Sequence, residues 1–196
     1  PPRSTLFPYT TLFRSPKRAL IQLAAGHGRG KTAPMSQPFL FLDLPDADAT
    51  AYLAQQMAPA LQAGDVLLLE GLIGAGKTHF ARSLIQYRLA MLGRHEDVPS
   101  PTFTLVQVYD AGTEIWHADL YRLSHPDEAL ELGFDEAFET AICLIEWPDR
   151  LAGLAPDTAL TLRFETTDEG AARRVAFSGD AVWQDRLRHI LDAPDG

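Results

Sequence analysis

The stretch "LLLEGLIGAGKTHF", residues 67–80, changes abruptly from leucines to glycines and then to a single lysine, Lys77. The apolar run over residues 66–71 is too short for a helix and is typical of a strand buried on both faces. After the glycines, apolar residues recur at the spacing of one helical face: Phe80, Leu84, Tyr87 and Met91. The segment therefore predicts a strand, a glycine-rich loop and a helix, in that order.

The loop at residues 71–78 matches the pattern G-x-x-x-x-G-K-[ST] at every position. Glycine permits positive φ angles and a close approach of the backbone, so main-chain N–H groups can turn toward a phosphate. In this pattern the lysine reaches the β and γ phosphates, the final hydroxyl binds Mg²⁺, and the following helix directs the positive end of its dipole at the anion. The predicted nucleotide-binding residues are Gly71, Gly74, Ala75, Gly76, Lys77 and Thr78.

Such a loop also requires an acidic residue at the end of a neighbouring strand, to hold Mg²⁺ or to polarise the attacking water. Two residues qualify, because Glu146 ends the apolar run "AICLIE" and Asp119 ends "EIWHAD". We predict that Lys77, Asp119 and Glu146 form the catalytic set and that Thr78 and Glu146 bind the metal. The sequence leaves open which of the two acids touches the metal directly.

Two residues in these strands have alternative interpretations. His117 lies two residues before Asp119, and it faces either the site or the opposite side of its strand. Cys143, the only cysteine, lies inside an apolar strand and is expected to be a buried structural residue rather than a reactive thiol.

The predicted nucleotide is ATP. Guanine recognition in GTPases relies on an N-K-x-D motif, and this chain contains no asparagine at all. The cofactors expected from the loop are therefore ATP and Mg²⁺.

Strand-like and helix-like segments alternate along the rest of the chain, which predicts an α/β fold. The predicted strands cover residues 39–44, 66–71, 103–110, 114–123, 141–147, 158–165 and 173–179. The predicted helices cover residues 46–64, 78–91, 127–138 and 180–191, the third interrupted at Gly133. Together with the loop, this order predicts a three-layer sandwich like that of P-loop NTPases, with a central, largely parallel sheet and an antiparallel edge.

Capping residues and apolar spacing predict further details of the helices. Asp46 or Asp48 is expected to cap the first helix, Pro59 to kink it or tighten its last turn, and Gly64 to end it. The residues expected to form a stripe on the last helix are Val182, Leu187 and either Ile190 or Leu191.

Composition limits the possible partners. The chain has 196 residues, 46% of them hydrophobic, and no apolar run near the roughly 18–20 residues needed to cross a bilayer. Because residues 1–34 carry +6, the net charge of −9 leaves −15 on residues 35–196. Such an acidic chain would repel a phosphate backbone. We therefore expect a soluble, cytoplasmic protein that meets RNA only through a partner.

The N-terminal segment differs from the rest of the chain. Residues 1–34 repeat the letters TLF, contain no acidic residue and precede the first methionine, Met35. We predict a non-native or disordered extension there, with a transit peptide as the alternative, and a single ATPase domain over residues 35–196. A second GKT, in "AGHGRGKT" at residues 25–32, lacks the first glycine and is followed by prolines where a helix would begin, so we reject it as a phosphate site.

Five segments occur in a recognisable order: "LEGLIGAGKT", "VPSPTFTLVQVY", "HADLYRL", "ELGFDEAF" and "IEWPDRL". In this set and order the chain resembles the TsaE (YjeE) family, the small P-loop ATPases of bacterial tRNA threonylcarbamoyladenosine synthesis. The resemblance implies a Mg²⁺-dependent ATPase, slow alone, that acts with the TsaB and TsaD proteins. Another subunit would then transfer the threonylcarbamoyl group to adenosine, so tRNA is contacted only indirectly.

The resemblance also implies roles for individual residues. Ser100 and Thr102, in the S-P-T-F segment, would belong to a switch loop near the γ phosphate, and Trp147 would lie near the nucleotide. His79, directly after G-K-T, is also predicted to be a nucleotide-binding residue. Family members usually carry aspartate after the first glycine of the loop and a second threonine after G-K-T, whereas this chain has Leu72 and His79. These departures leave open a nucleotide-gated binding module that does not hydrolyse ATP. A small-molecule kinase is the other alternative to an ATPase, since it would share the loop, although the roughly 40 residues between the loop and Asp119 hold few arginines for the lid that such a kinase usually has.

Overall fold

The computed structural model describes residues 22–23, 37–167 and 172–192. Its strands are β1 Gln22–Leu23, β2 Leu40–Leu44, β3 Val66–Gly71, β4 Val106–Asp110, β5 Glu114–Asp119, β6 Ile142–Glu146, β7 Leu160–Thr166 and β8 Arg173–Ser178. Its α-helices are α1 Ala47–Met57, α2 Lys77–Met91, α3 Pro126–Glu131, α4 Phe134–Thr140 and α5 Ala181–Asp192. Short 3₁₀ helices cover Ala58–Ala60 and Pro148–Leu151.

One mixed sheet contains these strands in the order β1-β2-β8-β7-β3-β6-β5-β4. Its centre is parallel, since β3 runs parallel to both β6 and β7, and β5 runs parallel to β6. Antiparallel strands flank this centre, with β4 beside β5 on one side and β8 beside β7 on the other. The predicted α/β sandwich with a largely parallel centre is confirmed, and it has antiparallel strands at both edges instead of one.

The N-terminal extension predicted for residues 1–34, including the rejected GKT segment, lies outside the described residues apart from β1. That two-residue strand pairs antiparallel with β2, Gln22 opposite Phe41. The single domain expected over residues 35–196 stays a prediction. In the described ranges, no helix has the length and apolar character needed to span a membrane.

Helices cover both faces of the sheet. On one face, β-strand residues such as Leu67 and Leu144 share a core with α1, α2 and α5. On the other face, Cys143 and Ile145 share a core with α3 and α4. Successive residues of β6 thus enter opposite cores, and all five are buried.

Burial raises the pKa of the Cys143 thiol to about 12, with a smaller contribution from the charge of Glu114, so the thiol stays protonated at neutral pH.

The ends of two predicted elements differ from those observed. The strand predicted from residue 103 begins at Val106, because residues 101–104 form a turn closed by the Leu105 N–H, which donates to the Pro101 carbonyl at 2.7 Å. Leu105 has a φ of 64°, which is incompatible with an extended strand. The next strand was predicted to reach residue 123 but ends at Asp119, where a turn begins.

Capping decides the beginning of α1. Asp46, not Asp48, is the N-cap, and its Oδ1 accepts the Ala49 N–H at 2.8 Å. The α-helix ends at Met57 rather than at Gly64, because Pro59 lies in a tighter 3₁₀ turn.

Two residues predicted on buried helical stripes are exposed. Met91 is 60% exposed at the end of α2, and Val182 is 62% exposed in the first turn of α5. The buried stripe of α5 instead centres on Trp183 and Leu187. Trp183 Nε1 donates to the Thr158 carbonyl at 2.8 Å, and this hydrogen bond fixes the orientation of the helix. The predicted burial of Leu187 is confirmed.

Substitution of Leu187 by alanine is expected to lower the free energy of unfolding by about 2–5 kcal/mol, because truncation of this fully buried side chain leaves a cavity. Val182→Ala, on the same helix, is expected to change that free energy by about 0.5 kcal/mol at most. Urea denaturation followed by circular dichroism measures both values. Equal losses from the two variants would contradict the orientation of α5.

Candidate nucleotide-binding site

The glycine loop lies at the carboxyl end of β3, where ligands bind in open α/β sheets. Gly71 has a φ of 135°, and a Cβ there would come within 2.4 Å of the Phe164 carbonyl oxygen on β7. Gly76 has a φ of 111° and precedes the first residue of α2. Both positions therefore require glycine, which lets the loop turn from the buried strand directly into the helix.

Lys77 is the buried cation of this loop, with only 4% of its surface exposed. Its Nζ donates to the carbonyl oxygens of Gly71 at 2.7 Å and Leu72 at 3.0 Å, and it lies 4.2 Å from the centroid of the Trp147 ring. Burial lowers the pKa of the Lys77 ammonium, while the charges of Glu146 and then Asp119 act in the opposite direction. The ammonium is thus surrounded by acceptors and can exchange them for phosphate oxygens.

Asp119 and Glu146 lie side by side at the site. The parallel pairing of β5 with β6 places these two residues directly opposite each other, as the last residues of their strands. Glu146 is 2% exposed, and its Oε2 accepts the Thr78 hydroxyl at 2.8 Å. The structure thereby brings the predicted metal residues, Thr78 and Glu146, into direct contact.

The side chain of His117 faces the site, which resolves the alternative left by the sequence. Its Nε2 lies 3.0 Å from Oε1 of Glu146, and the ring is fully buried. Nδ1 is buried and has no hydrogen-bond partner among the described residues. A proton on Nε2 suits this arrangement, because that nitrogen then donates to the carboxylate of Glu146.

Asp119 connects the S-P-T-F segment to the site. Its Oδ2 accepts the Thr102 hydroxyl at 2.7 Å, and Thr102 Oγ1 lies 2.8 Å from Ser100 Oγ. The other carboxylate oxygen accepts the Tyr121 N–H at 3.1 Å. Both oxygens of Asp119 are therefore engaged by neighbouring donors, whereas Glu146 contacts the phosphate-binding loop itself.

The residues present fit a magnesium ion. Thr78 and Glu146 offer a hydroxyl and a carboxylate, the hard oxygen ligands that Mg²⁺ prefers. Within the described ranges no group of three or more His, Cys, Asp or Glu side chains could hold a metal. That is compatible with Mg²⁺ in phosphate sites, because this ion takes one or two protein ligands there and completes its shell with phosphates and water.

The two departures from the family pattern have different positions. Leu72 is 75% exposed on the loop. The His79 ring turns to α1, where Nε2 lies 2.9 Å from the Ala47 carbonyl oxygen. The role predicted for His79 at a nucleotide would therefore fall to its main-chain N–H.

Trp147 combines an unusual backbone with a position beside Lys77. Its φ of 60° and ψ of 53° are left-handed, a conformation that costs a non-glycine residue about 1–3 kcal/mol. Its ring also packs on Tyr121, with centroids 5.0 Å apart. Trp147 therefore lies beside Lys77, and the roles predicted for all these residues stay predictions.

One residue that contacts the loop was not predicted. Arg173, the first residue of β8, donates to the carbonyl oxygens of Gly74 and Ala75. No spacing in the sequence signals this contact, because Arg173 lies 98 residues beyond Ala75.

His117→Ala is expected to lower the free energy of unfolding by about 2–4 kcal/mol, since it creates a cavity and removes a buried hydrogen bond to a carboxylate. His189→Ala removes an exposed imidazole and is expected to cost about 0.5 kcal/mol or less. Urea unfolding at pH 7 measures both. If His117→Ala lowered the free energy of unfolding no more than His189→Ala does, the hydrogen bond between His117 and Glu146 would contribute little to stability.

Comparison with known proteins identifies the family to which the chain is similar. The model of the family "Threonylcarbamoyl adenosine biosynthesis protein TsaE" matches residues 44–175, which include the glycine loop and both acids. A Rickettsia conorii protein named tRNA threonylcarbamoyladenosine biosynthesis protein TsaE is 40% identical over 122 residues, covering 62% of this chain and 68% of its own length. A Treponema pallidum protein of the same name is 34% identical over 125 residues, covering 63% and 90%.

A solved structure agrees with the fold. The crystal structure of Bacillus subtilis YdiB superposes with a TM-score of 0.64 at 25% sequence identity, covering 81% of this chain and 97% of YdiB. The family match includes the glycine loop, the two strands that carry the acids and β7, and it ends within β8. The chain therefore belongs to the TsaE family of tRNA threonylcarbamoyladenosine biosynthesis and is a P-loop nucleotide-binding protein.

Proposed function

We propose that the chain binds ATP with Mg²⁺ and hydrolyses it as the ATPase of the tRNA threonylcarbamoyladenosine machinery, acting with TsaB and TsaD. The observation that carries this proposal is the hydrogen bond from the Thr78 hydroxyl to Oε2 of Glu146, 2.8 Å long, beside the buried ammonium of Lys77. A hydroxyl, a carboxylate and a cation at the end of a glycine loop form the arrangement that P-loop ATPases use to hold a magnesium–triphosphate.

The residues of the loop would divide the work of binding. Lys77 would exchange its two carbonyl acceptors for the β and γ phosphate oxygens, and the N–H groups at the beginning of α2 would bind the same anion. Thr78 and Glu146 would hold Mg²⁺, which, when bound, supplies positive charge to neutralise the phosphates. The absence of asparagine favours ATP over GTP, since the guanine motif needs this residue.

The second acid would act through the S-P-T-F segment. Asp119 holds the Thr102 hydroxyl, and Ser100 extends this chain of hydrogen bonds by one residue. A threonine on a proline-stiffened loop is suited to report the presence of a γ phosphate, because it can exchange its carboxylate partner for a phosphate oxygen. Asp119 would thus position the switch loop, while Glu146 serves the metal.

Charge and exposure support a role in a protein complex. Residues 35–196 carry a net charge of −15, which disfavours direct tRNA capture. Three large apolar side chains are exposed: Leu72 and Ile73 on the glycine loop, and Phe103 in the S-P-T-F segment. Exposed apolar side chains beside a functional site are typical of surfaces that contact other proteins. We place the action of the complex in the cytoplasm, where tRNA is modified.

A nonhydrolysing, nucleotide-gated module is the second candidate. Leu72 stands where family members usually carry aspartate, and the His79 side chain contacts α1 instead of the loop interior. Neither residue then contributes a side-chain oxygen to a metal or to water. Binding would survive these departures, since Lys77, Thr78 and the main-chain amides are retained.

Lys77→Ala is expected to abolish ATP binding and leave the fold intact, because it removes the main cation of the site while the packed core is unchanged. Arg188→Ala removes one positive charge from the exposed face of α5 and is the matched control. Titration with a fluorescent ATP analogue, together with circular dichroism, measures both properties. Unchanged affinity in Lys77→Ala would place the phosphates elsewhere.

Turnover by the complex is expected to separate the candidates. The wild-type chain should hydrolyse ATP slowly alone and faster with TsaB and TsaD, and Glu146→Gln should lower Mg²⁺-dependent turnover by about 100-fold with binding retained. Glu139→Gln, an exposed acid on α4, is the control and should match the wild type. Tight ATP binding without turnover in the full complex would support the nonhydrolysing module, and a phosphorylated small molecule would indicate a kinase.

A further inference from the structure

Arg173 reaches the glycine loop from the antiparallel side of the sheet. Its Nε donates to the Ala75 carbonyl oxygen at 3.0 Å, and its Nη2 donates to the Gly74 carbonyl oxygen at 3.3 Å. Nη1 donates to the carbonyl oxygen of Ala172 at 3.1 Å. Two nitrogens of one guanidinium are thus directed at consecutive carbonyl groups of the loop.

These contacts fix the orientation of two peptide groups. In a trans peptide, the carbonyl group and the following N–H point in opposite directions. A bond from Arg173 to the Ala75 carbonyl therefore directs the Gly76 N–H away from the guanidinium. In the same way, the bond to the Gly74 carbonyl directs the Ala75 N–H away from the guanidinium. This N–H donates to the Leu72 carbonyl at 3.1 Å.

The loop needs such contacts because glycine gives it little conformational preference of its own. Gly74 and Gly76 have φ angles of 80° and 111°, and glycine reaches positive and negative φ with similar ease. Peptide groups between such residues can rotate at low cost. Any rotation of the peptide before Gly76 would turn an N–H group away from an anion, so a contact that selects one orientation raises affinity by removing that freedom before binding.

We propose that Arg173 is a positioning residue that preorganises the phosphate-binding loop by holding the Gly74 and Ala75 carbonyls on the side away from the phosphates. The proposal rests on the proposed function, since the ligand is the polyphosphate chain of a nucleotide. The guanidinium of Arg173 also contributes a positive charge beside the loop.

The test compares Arg173→Ala with the neighbouring Arg174→Ala. Both variants lose one positive charge from the same strand. Arg174 forms an ion pair with Asp43 on β2, with Nε 2.7 Å from Oδ1, and within the described residues it makes no hydrogen bond to the loop. Arg173→Ala is expected to weaken binding of a fluorescent ATP analogue by about tenfold or more. Arg174→Ala is expected to stay within about twofold of the wild type.

Three further measurements separate positioning from general stability. In the ATPase assay, Arg173→Ala should raise KM for ATP and leave kcat within about twofold, because the lost contact is present in the ground state and the transition state alike. Amide hydrogen exchange over residues 72–78 should become faster, with exchange in β3 unchanged. Arg173→Lys keeps the charge without the planar fork, and its affinity should fall between those of Arg173→Ala and the wild type.

The possible outcomes are distinct. Affinity of Arg173→Ala within twofold of the wild type, or an equal loss in Arg174→Ala, would overturn the positioning role while leaving the proposed function intact. A wild-type chain that binds neither ATP nor ADP would overturn both. Loss of affinity confined to the Arg173 variants, with kcat retained, would support the proposal.

Discussion

The site depends on the burial of one ammonium group. Lys77 is almost fully enclosed and begins α2, where the helix dipole is positive as well. Both factors disfavour a cation, and the structure offsets them with carbonyl oxygens of the loop, the face of the Trp147 ring and the charges of Glu146 and Asp119. The Lys77 ammonium is surrounded by acceptors and bound covalently to none of them. It can therefore exchange these acceptors for the oxygens of a polyanion.

The register of the parallel strands supplies the acidic part of the site. Asp119 and Glu146 are paired across β5 and β6, and Leu69 of β3 lies opposite Glu146 on its other side. A shift of one residue would move either carboxylate to the opposite face of the sheet. The buried apolar residues of β6 prevent such a shift, since each would leave one core for the other. Packing of the two cores therefore determines the geometry of the acids.

A second layer of side chains surrounds the residues that would meet the nucleotide. His117 contacts Glu146 from within the sheet, Thr102 contacts Asp119 from the switch segment, and Arg173 contacts the glycine loop from β8. Each contact comes from a different element, so the site is restrained from several directions. Precise orientation of ligands by such outer contacts is common in metal and phosphate sites, because it reduces the freedom lost on binding.

The sequence by itself determined the glycine loop, the α/β layering and the two acids, because these depend on local patterns: a glycine spacing, apolar runs and an acidic residue at a strand end. The same local reasoning misplaced Met91 and Val182 on buried stripes, since helix orientation depends on contacts with other elements. Only the tertiary structure decided that His117 faces Glu146 and that Arg173 reaches the loop. Both contacts join segments far apart in the chain, and a pattern confined to one segment carries no information about which distant side chain the folded sheet brings beside it.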